Sequence, residues 1–274
     1  MNRPHKEFEP DAVIISSRQH PLCKLVRSLH AAKGRREHGL FLIEGSNSVG
    51  AAMQAQWPLE RVLIADDAAG AEWKHRAQTA QITIQVVAAH LMEYMSEAQT
   101  PTAVLALSKL PQNSLEMPTL LGDEATLVLA LDGVGDPGNV GTLIRSADVA
   151  GVSRCVLSPQ SADAYGPKAV RASAGSVFHL HVTSSTQEAL LQQLRTAELP
   201  LVTAVAHGGE DCFRFTWPRR CTLVLGHETR GISAVLEEAA KYRVTIPNYG
   251  RAESLNVAAA GAVLLFAWRQ SVEQ

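Results

Sequence analysis

The chain has 274 residues, of which 46% are hydrophobic, 19% charged and 5% aromatic, and its formal net charge is −2. This balance excludes a disordered or fibrous protein, and the length corresponds to about two ordinary domains. The nearly neutral charge gives no global sign of nucleic-acid binding, so any basic surface has to be local.

Residues 1–12 are polar and predict a loose tail without the apolar segment of a signal peptide. The longest apolar run, residues 257–268, is shorter than the roughly 20 residues that a membrane-spanning helix needs. The four cysteines form no CxxC pair and have no histidine at zinc spacing. We therefore expect a cytoplasmic protein with free thiols, no metal site and no membrane partner.

Residues 13–110 mix helical and strand patterns, and we interpret them as a first, smaller α/β domain. This interpretation rests on the helical spacing of Leu22, Val26 and Leu29 and on several short apolar runs. The predicted elements are a helix at 21–30, a strand at 40–44, a helix at 46–56, strands at 61–65 and 82–87, a helix at 90–98 and a strand at 102–107.

Residues 111–123 hold two prolines and several turn formers, and they predict a linker. Residues 124–274 then alternate regularly between strands and helices. Because most of these strands are continuous apolar runs, they predict a parallel sheet covered on both faces. The predicted strands are 126–131, 154–157, 177–182, 201–206, 221–225 and 243–246, and the predicted helices are 140–150, 186–197, 235–239 and 255–269.

A glycine-rich turn follows the first strand of this second domain. Gly133, Gly135 and Gly138 match G-x-G-x-x-G, the dinucleotide fingerprint, so an NAD(P)-dependent oxidoreductase using residues 133–138 is one reading. The third glycine of that fingerprint should lie inside the helix for close helix–strand packing, yet Pro137 stands immediately before Gly138. The acidic residue expected about 20 positions later is also missing, because the next strand ends in Ser158 and a proline.

Three blocks place polar residues and glycines at the ends of apolar strands, namely residues 136–147, 223–232 and 246–257. In open α/β sheets, ligands bind at the carboxyl ends of the strands. We therefore expect the three blocks to form one site.

The patterns N-x-G-x-x-x-R, G-x-E-x-x-G and I-P-x-x-G-x-x-x-S-L-N-V in these blocks resemble the SpoU/TrmH family of RNA 2′-O-ribose methyltransferases, in the SPOUT superfamily. The likeness covers residues 125–270, and residues 15–45 resemble the L30e-like substrate-binding domain of the rRNA-directed branch. The resemblance implies an α/β fold: a C-terminal parallel-sheet domain with a trefoil knot, preceded by a smaller L30e-like domain.

The resemblance further implies transfer of a methyl group from S-adenosyl-L-methionine to RNA. Ribosomal RNA is the favoured substrate, transfer RNA is the alternative, and a homodimer through the C-terminal domain is expected. The cofactor-binding positions carried over are Leu225, Gly226, Ile246 and Leu255. Glycine lets the backbone approach a ligand closely, and the apolar side chains can enclose an adenine.

The catalytic positions carried over from the family are Asn139, Arg145, Glu228, Ser254 and Asn256. Arg145 is either a general base or a group that clamps phosphate and orients the nucleotide, and the second role suits a guanidinium that stays protonated. The sequence departs from the common family pattern at His227 and Asn248.

The basic residues between positions 18 and 36 have no acidic residue among them, which predicts a local phosphate-binding surface. The expected RNA contacts are Arg18, Lys24, Lys33, Arg35 and Arg36.

Overall fold

The computed structural model describes residues 14–98, 102–112 and 125–273. The chain forms two compact units, and the division falls between Leu110 and Pro111. The predicted tail, 1–12, and residues 113–123 of the predicted linker lie outside the described residues.

The first unit combines short helices with a four-stranded sheet. Its helices are α1 (Pro21–Ser28), α2 (Ala32–His38), α3 (Ser46–Gln54), α4 (Ala68–Thr79) and α5 (Ala89–Met95). Its strands are β1 (Leu40–Glu44), β2 (Leu59–Ala65), β3 (Ile84–Val87) and β4 (Val104–Lys109).

This sheet has the strand order β1-β4-β2-β3. β4 pairs antiparallel with both β1 and β2, and β2 pairs parallel with β3. Leu42, Leu63 and Leu105 are buried in the core between the sheet and the helices. The four strands predicted along this part of the chain are all present. α4 was missed because it has no regular apolar stripe, although Asp67 caps it by accepting a hydrogen bond from Gly70 N at 2.8 Å.

The second unit is built around a larger sheet. Its strands are β5 (Thr126–Asp132), β6 (Arg154–Leu157), β7 (Val182–Ser184), β8 (Leu201–Ala204), β9 (Glu210–Asp211), β10 (Arg220–Gly226) and β11 (Tyr242–Thr245). Its helices are α6 (Pro137–Val149), α7 (Pro167–Ala172), α8 (Gln187–Thr196), α9 (Ala234–Ala239) and α10 (Val257–Glu273), with a 3-10 turn at Ser176–Phe178.

All pairs in this sheet are parallel, in the order β7-β6-β5-β10-β8-β11-β9. The two neighbouring strands β5 and β10 are almost wholly buried, as continuous apolar strands should be when both faces are covered. The predicted parallel sheet is therefore confirmed. Chain order reverses at β5, which lies between β6 and β10, and such a switch point is where open α/β sheets bind ligands.

Helices cover both faces of the second sheet. Val224 faces a core that contains Leu190 of α8 and Leu236 of α9. Its neighbour Leu225 points to the opposite face, as alternate residues of a strand do. There a side chain at Gly261 of α10 would collide with Leu225 and with Leu143 of α6, so glycine lets α10 pack closely against α6 and the sheet.

Several predicted elements have other bounds in the structure. The segment predicted as a strand at 177–182 begins with the 3-10 turn, and the strand itself starts only at Val182. The last helix begins at Val257 rather than at 255. Within the described ranges no helix has the length and apolarity needed to cross a bilayer. The trefoil knot stays a prediction.

Candidate functional site

The carboxyl ends of β5, β10 and β11 carry the three blocks that the sequence singled out. β5 and β10 pair in register, with Gly226 opposite Asp132, so the loops that follow them start side by side. β11 lies two strands from β10 and runs in the same direction, so its loop leaves from the same edge of the sheet. The parallel sheet thus brings segments that are distant in sequence to one place.

A cavity of about 890 Å³ opens at this edge. Its size lies toward the upper end of small-molecule sites, roughly 300–1,000 Å³. All four residues predicted to bind the cofactor, Leu225, Gly226, Ile246 and Leu255, line it. Leu225 is buried, whereas Leu255 is 53% exposed, so the cavity offers an apolar floor and an apolar rim.

Gly226 is required by the loop that follows it. A Cβ atom there would collide with the backbone of Gly231 and Ile232. The loop closes through two backbone hydrogen bonds between His227 and Gly231, each 2.9 Å long. His227 supports it further, because its Nδ1 accepts a hydrogen bond from Thr229 N at 3.1 Å. The histidine that departs from the family pattern therefore stabilises the wall of the cavity.

Three of the predicted catalytic residues form a chain of hydrogen bonds. Asn139 Nδ2 donates to Glu228 Oε1 over 2.9 Å, and Asn256 Nδ2 donates to Asn139 Oδ1 over 3.2 Å. Glu228 and Asn256 also line the cavity. The three blocks are thus joined through side chains and not only by proximity.

The pKa of Glu228 is lowered. Partial burial acts to raise this pKa. Hydrogen bonds from the backbone N–H of Glu228 itself, from the Asn139 side chain and from the backbone of Gly135 lower it. Together with the nearby His227 they outweigh the effect of burial. Glu228 is therefore ionised at neutral pH and is a weak proton acceptor. Its charge serves better to hold Asn139 in place than to remove a proton.

Asn139 is itself positioned by a residue that the sequence analysis missed. Helix α6 begins at Pro137 rather than after Asn139, and Asp136 is its N-cap, accepting a hydrogen bond from Asn139 N at 2.9 Å. Lys168 Nζ donates to the same carboxylate over 2.7 Å. The Lys168 hydrogen bond, followed by that of Asn139 N, lowers the pKa of Asp136. The Asp-Pro dipeptide before the helix was a usable signal, because proline favours the first helical position.

Ser254 and Asn256 have different positions at the last helix. Asn256 is at the N-terminus of α10, and its Oδ1 accepts hydrogen bonds from Ala258 N at 2.9 Å and Ala259 N at 3.4 Å. The same side chain thus caps the helix and holds Asn139. Ser254 precedes the helix and lines the cavity with an exposed side chain, placed to meet a ligand.

Arg145 stands apart from these residues. It is exposed on α6, about 9 Å along the helix axis from Asn139, given 1.5 Å per residue. It does not line the cavity, and it has no hydrogen bond or ion pair with any described residue. Its contact with the nucleotide stays a prediction.

The loop after β11 carries an exposed aromatic side chain. Asn248 Oδ1 accepts a hydrogen bond from Gly250 N at 2.9 Å, and its Nδ2 donates to Ala252 O at 2.5 Å. Asn248, the second departure from the family pattern, therefore holds the loop in a tight turn. Between these contacts Tyr249 lines the cavity with a side chain that is 92% exposed. No motif in the sequence pointed to Tyr249.

The glycine-rich turn has a role within the fold. The Gly133 N–H donates to Ser158 Oγ at 2.9 Å and Ser161 Oγ at 3.0 Å, so it is not free for a phosphate. The Asp136 carboxylate occupies the start of α6, where a dinucleotide would place its pyrophosphate. This arrangement does not support the oxidoreductase alternative.

In the first unit, most of the predicted RNA contacts are exposed, namely Arg18, Lys24, Lys33 and Arg36. Arg18 lies over the ring of Tyr94 at 4.8 Å. Arg35 is a correction: it is 4% exposed, and its Nη1 donates to Leu29 O at 2.8 Å and His30 O at 2.9 Å. Arg35 therefore stabilises the end of α1 from inside the unit and is not part of a surface.

Within the described part of the chain, no group of three or more histidine, cysteine or acidic side chains lies close enough to hold a metal ion. The four cysteines are free and buried, at positions Cys23, Cys155, Cys212 and Cys221.

The SpoU rRNA Methylase family model matches residues 126–266, and a model of the MRM3-like substrate binding domain matches residues 20–106. The chain is 30% identical to 23S rRNA (guanosine(2553)-2′-O)-methyltransferase RlmP of Bacillus subtilis (strain 168), covering 92% of this chain and 97% of the relative. It is 32% identical to 23S rRNA (uridine(2479)-2′-O)-methyltransferase of Streptomyces viridochromogenes, covering 99% and 97%. The crystal structure of AdoMet-bound rRNA methyltransferase from Sinorhizobium meliloti superposes with a TM-score of 0.83 at 27% identity, covering 94% of this chain and 97% of that one.

Proposed function

Because the chain belongs to the SpoU rRNA methylase family, we propose that it transfers a methyl group from S-adenosyl-L-methionine to a ribose 2′-hydroxyl of ribosomal RNA. The observation that carries the proposal is the cavity of about 890 Å³ at the sheet edge, which joins an apolar slot to the Glu228–Asn139–Asn256 hydrogen-bond chain. A transferase needs both parts: one to hold a donor and one to orient an acceptor.

The residues of the cavity fit the cofactor. Leu225, Ile246 and Leu255 supply apolar walls for an adenine, and the glycine at 226 lets the loop of residues 227–231 fold closely beside them. The bound cofactor supplies an electrophilic methyl group on a sulfonium centre. Because both relatives named above are 2′-O-methyltransferases, a ribose hydroxyl is the matching acceptor.

The chain's own residues orient the acceptor. A ribose hydroxyl is a weak acid, so its alignment and the removal of its proton both matter. Asn256 lines the cavity and donates a hydrogen bond to Asn139 behind it, and Ser254 offers a hydroxyl on the same cavity wall. For Arg145 we propose a phosphate clamp rather than a base, because a guanidinium stays protonated and binds phosphate well. Its exposed position on α6 suits a contact with the RNA backbone.

We further propose that Arg18, Lys24, Lys33 and Arg36 contact the RNA backbone and that the enzyme is a cytoplasmic homodimer. The four basic residues are exposed on the unit matched by the substrate-binding model. The dimer is carried over from the family resemblance. On α10 the large apolar side chain of Phe266 is 48% exposed and is available to such an interface.

The test is a comparison of 2′-O-methyl groups in RNA from cells with and without the gene. We expect one ribosomal position to lose its methyl group and to regain it when the purified protein and S-adenosyl-L-methionine are added. A loss of methyl groups confined to transfer RNA would make transfer RNA the substrate in place of ribosomal RNA. No loss of methyl groups in any RNA would contradict the proposal. Calorimetric titration with the cofactor alone checks the donor separately.

A further inference from the structure

An exposed tyrosine at the cavity is the feature that the proposed chemistry leaves unused. Tyr249 is 92% exposed, although it belongs to the loop that lines the cavity. The side chain of Asn248, just before the tyrosine, bonds to the backbone of Gly250 and Ala252, which follow it, so the backbone that carries the ring is held in a turn. Because the backbone is already held, only the torsions of the tyrosine side chain need to be ordered when a flat ligand stacks on the ring.

Two arginines accompany this ring, in a cavity that Glu228 and Glu253 also line. Arg230 lines the same cavity, and Arg251 follows two positions after Tyr249. Both are exposed, and neither has an ion-pair partner among the residues that the structure describes. An aromatic face beside unpaired arginines is how proteins bind single-stranded nucleic acid: the ring stacks on a base and the cations meet phosphate.

We infer that Tyr249 is the stacking platform for the base of the nucleotide whose ribose enters the cavity. This inference rests on the proposed function, because it takes the acceptor to be RNA. Stacking accepts any base, since every base has an aromatic face. That tolerance agrees with two relatives whose names specify guanosine in one case and uridine in the other. Tyr249 is then a positioning residue that fixes the base while Asn139 and Asn256 act at the ribose side.

The test uses Tyr249→Ala, Tyr249→Leu, Tyr249→Phe and Tyr249→Trp with unmethylated ribosomal RNA from cells that lack the gene. We expect the KM for RNA to rise roughly 5- to 150-fold in the alanine variant, the range known for loss of one base-stacking contact. The leucine variant, which is apolar but not aromatic, should behave like alanine. Phenylalanine and tryptophan should keep the wild-type KM, and kcat and cofactor affinity should change little in all four.

Three results would overturn the inference. A leucine variant with wild-type KM would mean that the contact is apolar and not stacking. A weaker affinity for S-adenosyl-L-methionine without any change in the RNA KM would assign the ring to the cofactor. A change in oligomeric state by light scattering would assign it to a second copy of the chain. If wild-type protein methylates no RNA, the proposed function fails; if it does and the alanine variant matches it, only this inference fails.

Discussion

Replacing Asn139 with alanine tests the hydrogen-bond chain at the cavity wall. The substitution removes the 2.9 Å bond to Glu228 and the 3.2 Å bond from Asn256. A hydrogen bond to a charged group contributes roughly 1.5–3 kcal/mol, and one between neutral groups roughly 0.5–1.5 kcal/mol. The Glu228 side chain is 30% exposed, so the low end of each range applies. Together the two bonds contribute about 2 kcal/mol.

If these bonds align the acceptor in the transition state, 2 kcal/mol corresponds to a fall of roughly 30-fold in kcat. Affinity for S-adenosyl-L-methionine should stay unchanged, because Asn139 does not line the cavity. The assay is single-turnover transfer of a labelled methyl group to unmethylated ribosomal RNA, with cofactor affinity measured by calorimetry. Thr142→Ala, at an exposed position on the same helix, is the matched control and should keep wild-type kcat.

Asn139→Asp sharpens the same experiment. It keeps the shape but turns a carboxylate toward Glu228, and two close carboxylates disfavour full ionisation of both. We expect lower activity than in the alanine variant at pH 8, with partial recovery relative to wild type as the pH falls and the pair takes up a proton. The reasoning is refuted if Asn139→Ala keeps kcat within about threefold of wild type, since that corresponds to well under 1 kcal/mol.

Three further predictions concern other parts of the molecule. Gly226→Ala should weaken cofactor binding at least roughly tenfold by calorimetry, because the added methyl group displaces the backbone at Gly231; unchanged affinity would contradict the close-approach argument. Asp136→Asn keeps a capping residue but removes the charge whose pKa is lowered by its lysine partner. In the wild type, the stability that comes from the ionised Asp136 is present above the unfolded pKa, about 3.9, and is lost as the pH falls through the folded pKa. The Tm difference between the variant and the wild type should therefore shrink at acid pH. Arg35→Ala should lower Tm by removing a buried group with two backbone acceptors, whereas Lys33→Ala with Arg36→Ala should keep Tm and weaken RNA binding at moderate salt.

The strand-end blocks could be located from sequence because their signals are local. A continuous apolar run such as 126–131 predicts a strand buried on both faces, and the polar residues and glycines that follow it mark the ligand end. The family resemblance then pointed to Leu225, Gly226, Ile246 and Leu255 within these blocks, and all four line the cavity.

Local signals misled where burial or capping decides the role of a residue. The basic segment from 18 to 36 looks uniform in sequence, yet Arg35 faces inward because the turn between α1 and α2 leaves carbonyl groups that need a donor. Similarly, the predicted helix at 140–150 begins earlier, at Pro137, because Asp136 caps it and Lys168 holds the Asp136 carboxylate.

The sequence by itself determined the class of fold, the order of the strands along the chain and the residue types at the end of each strand. Only the tertiary structure decided which of these residues meet. Asn139 lies 89 positions from Glu228 and 117 positions from Asn256, and their side chains touch because parallel pairing sets the ends of β5 and β10 side by side and α10 packs against α6. The exposure of Tyr249 could not be predicted from sequence either. The exposed fraction of a side chain depends on what the folded chain leaves uncovered, and no local pattern records it.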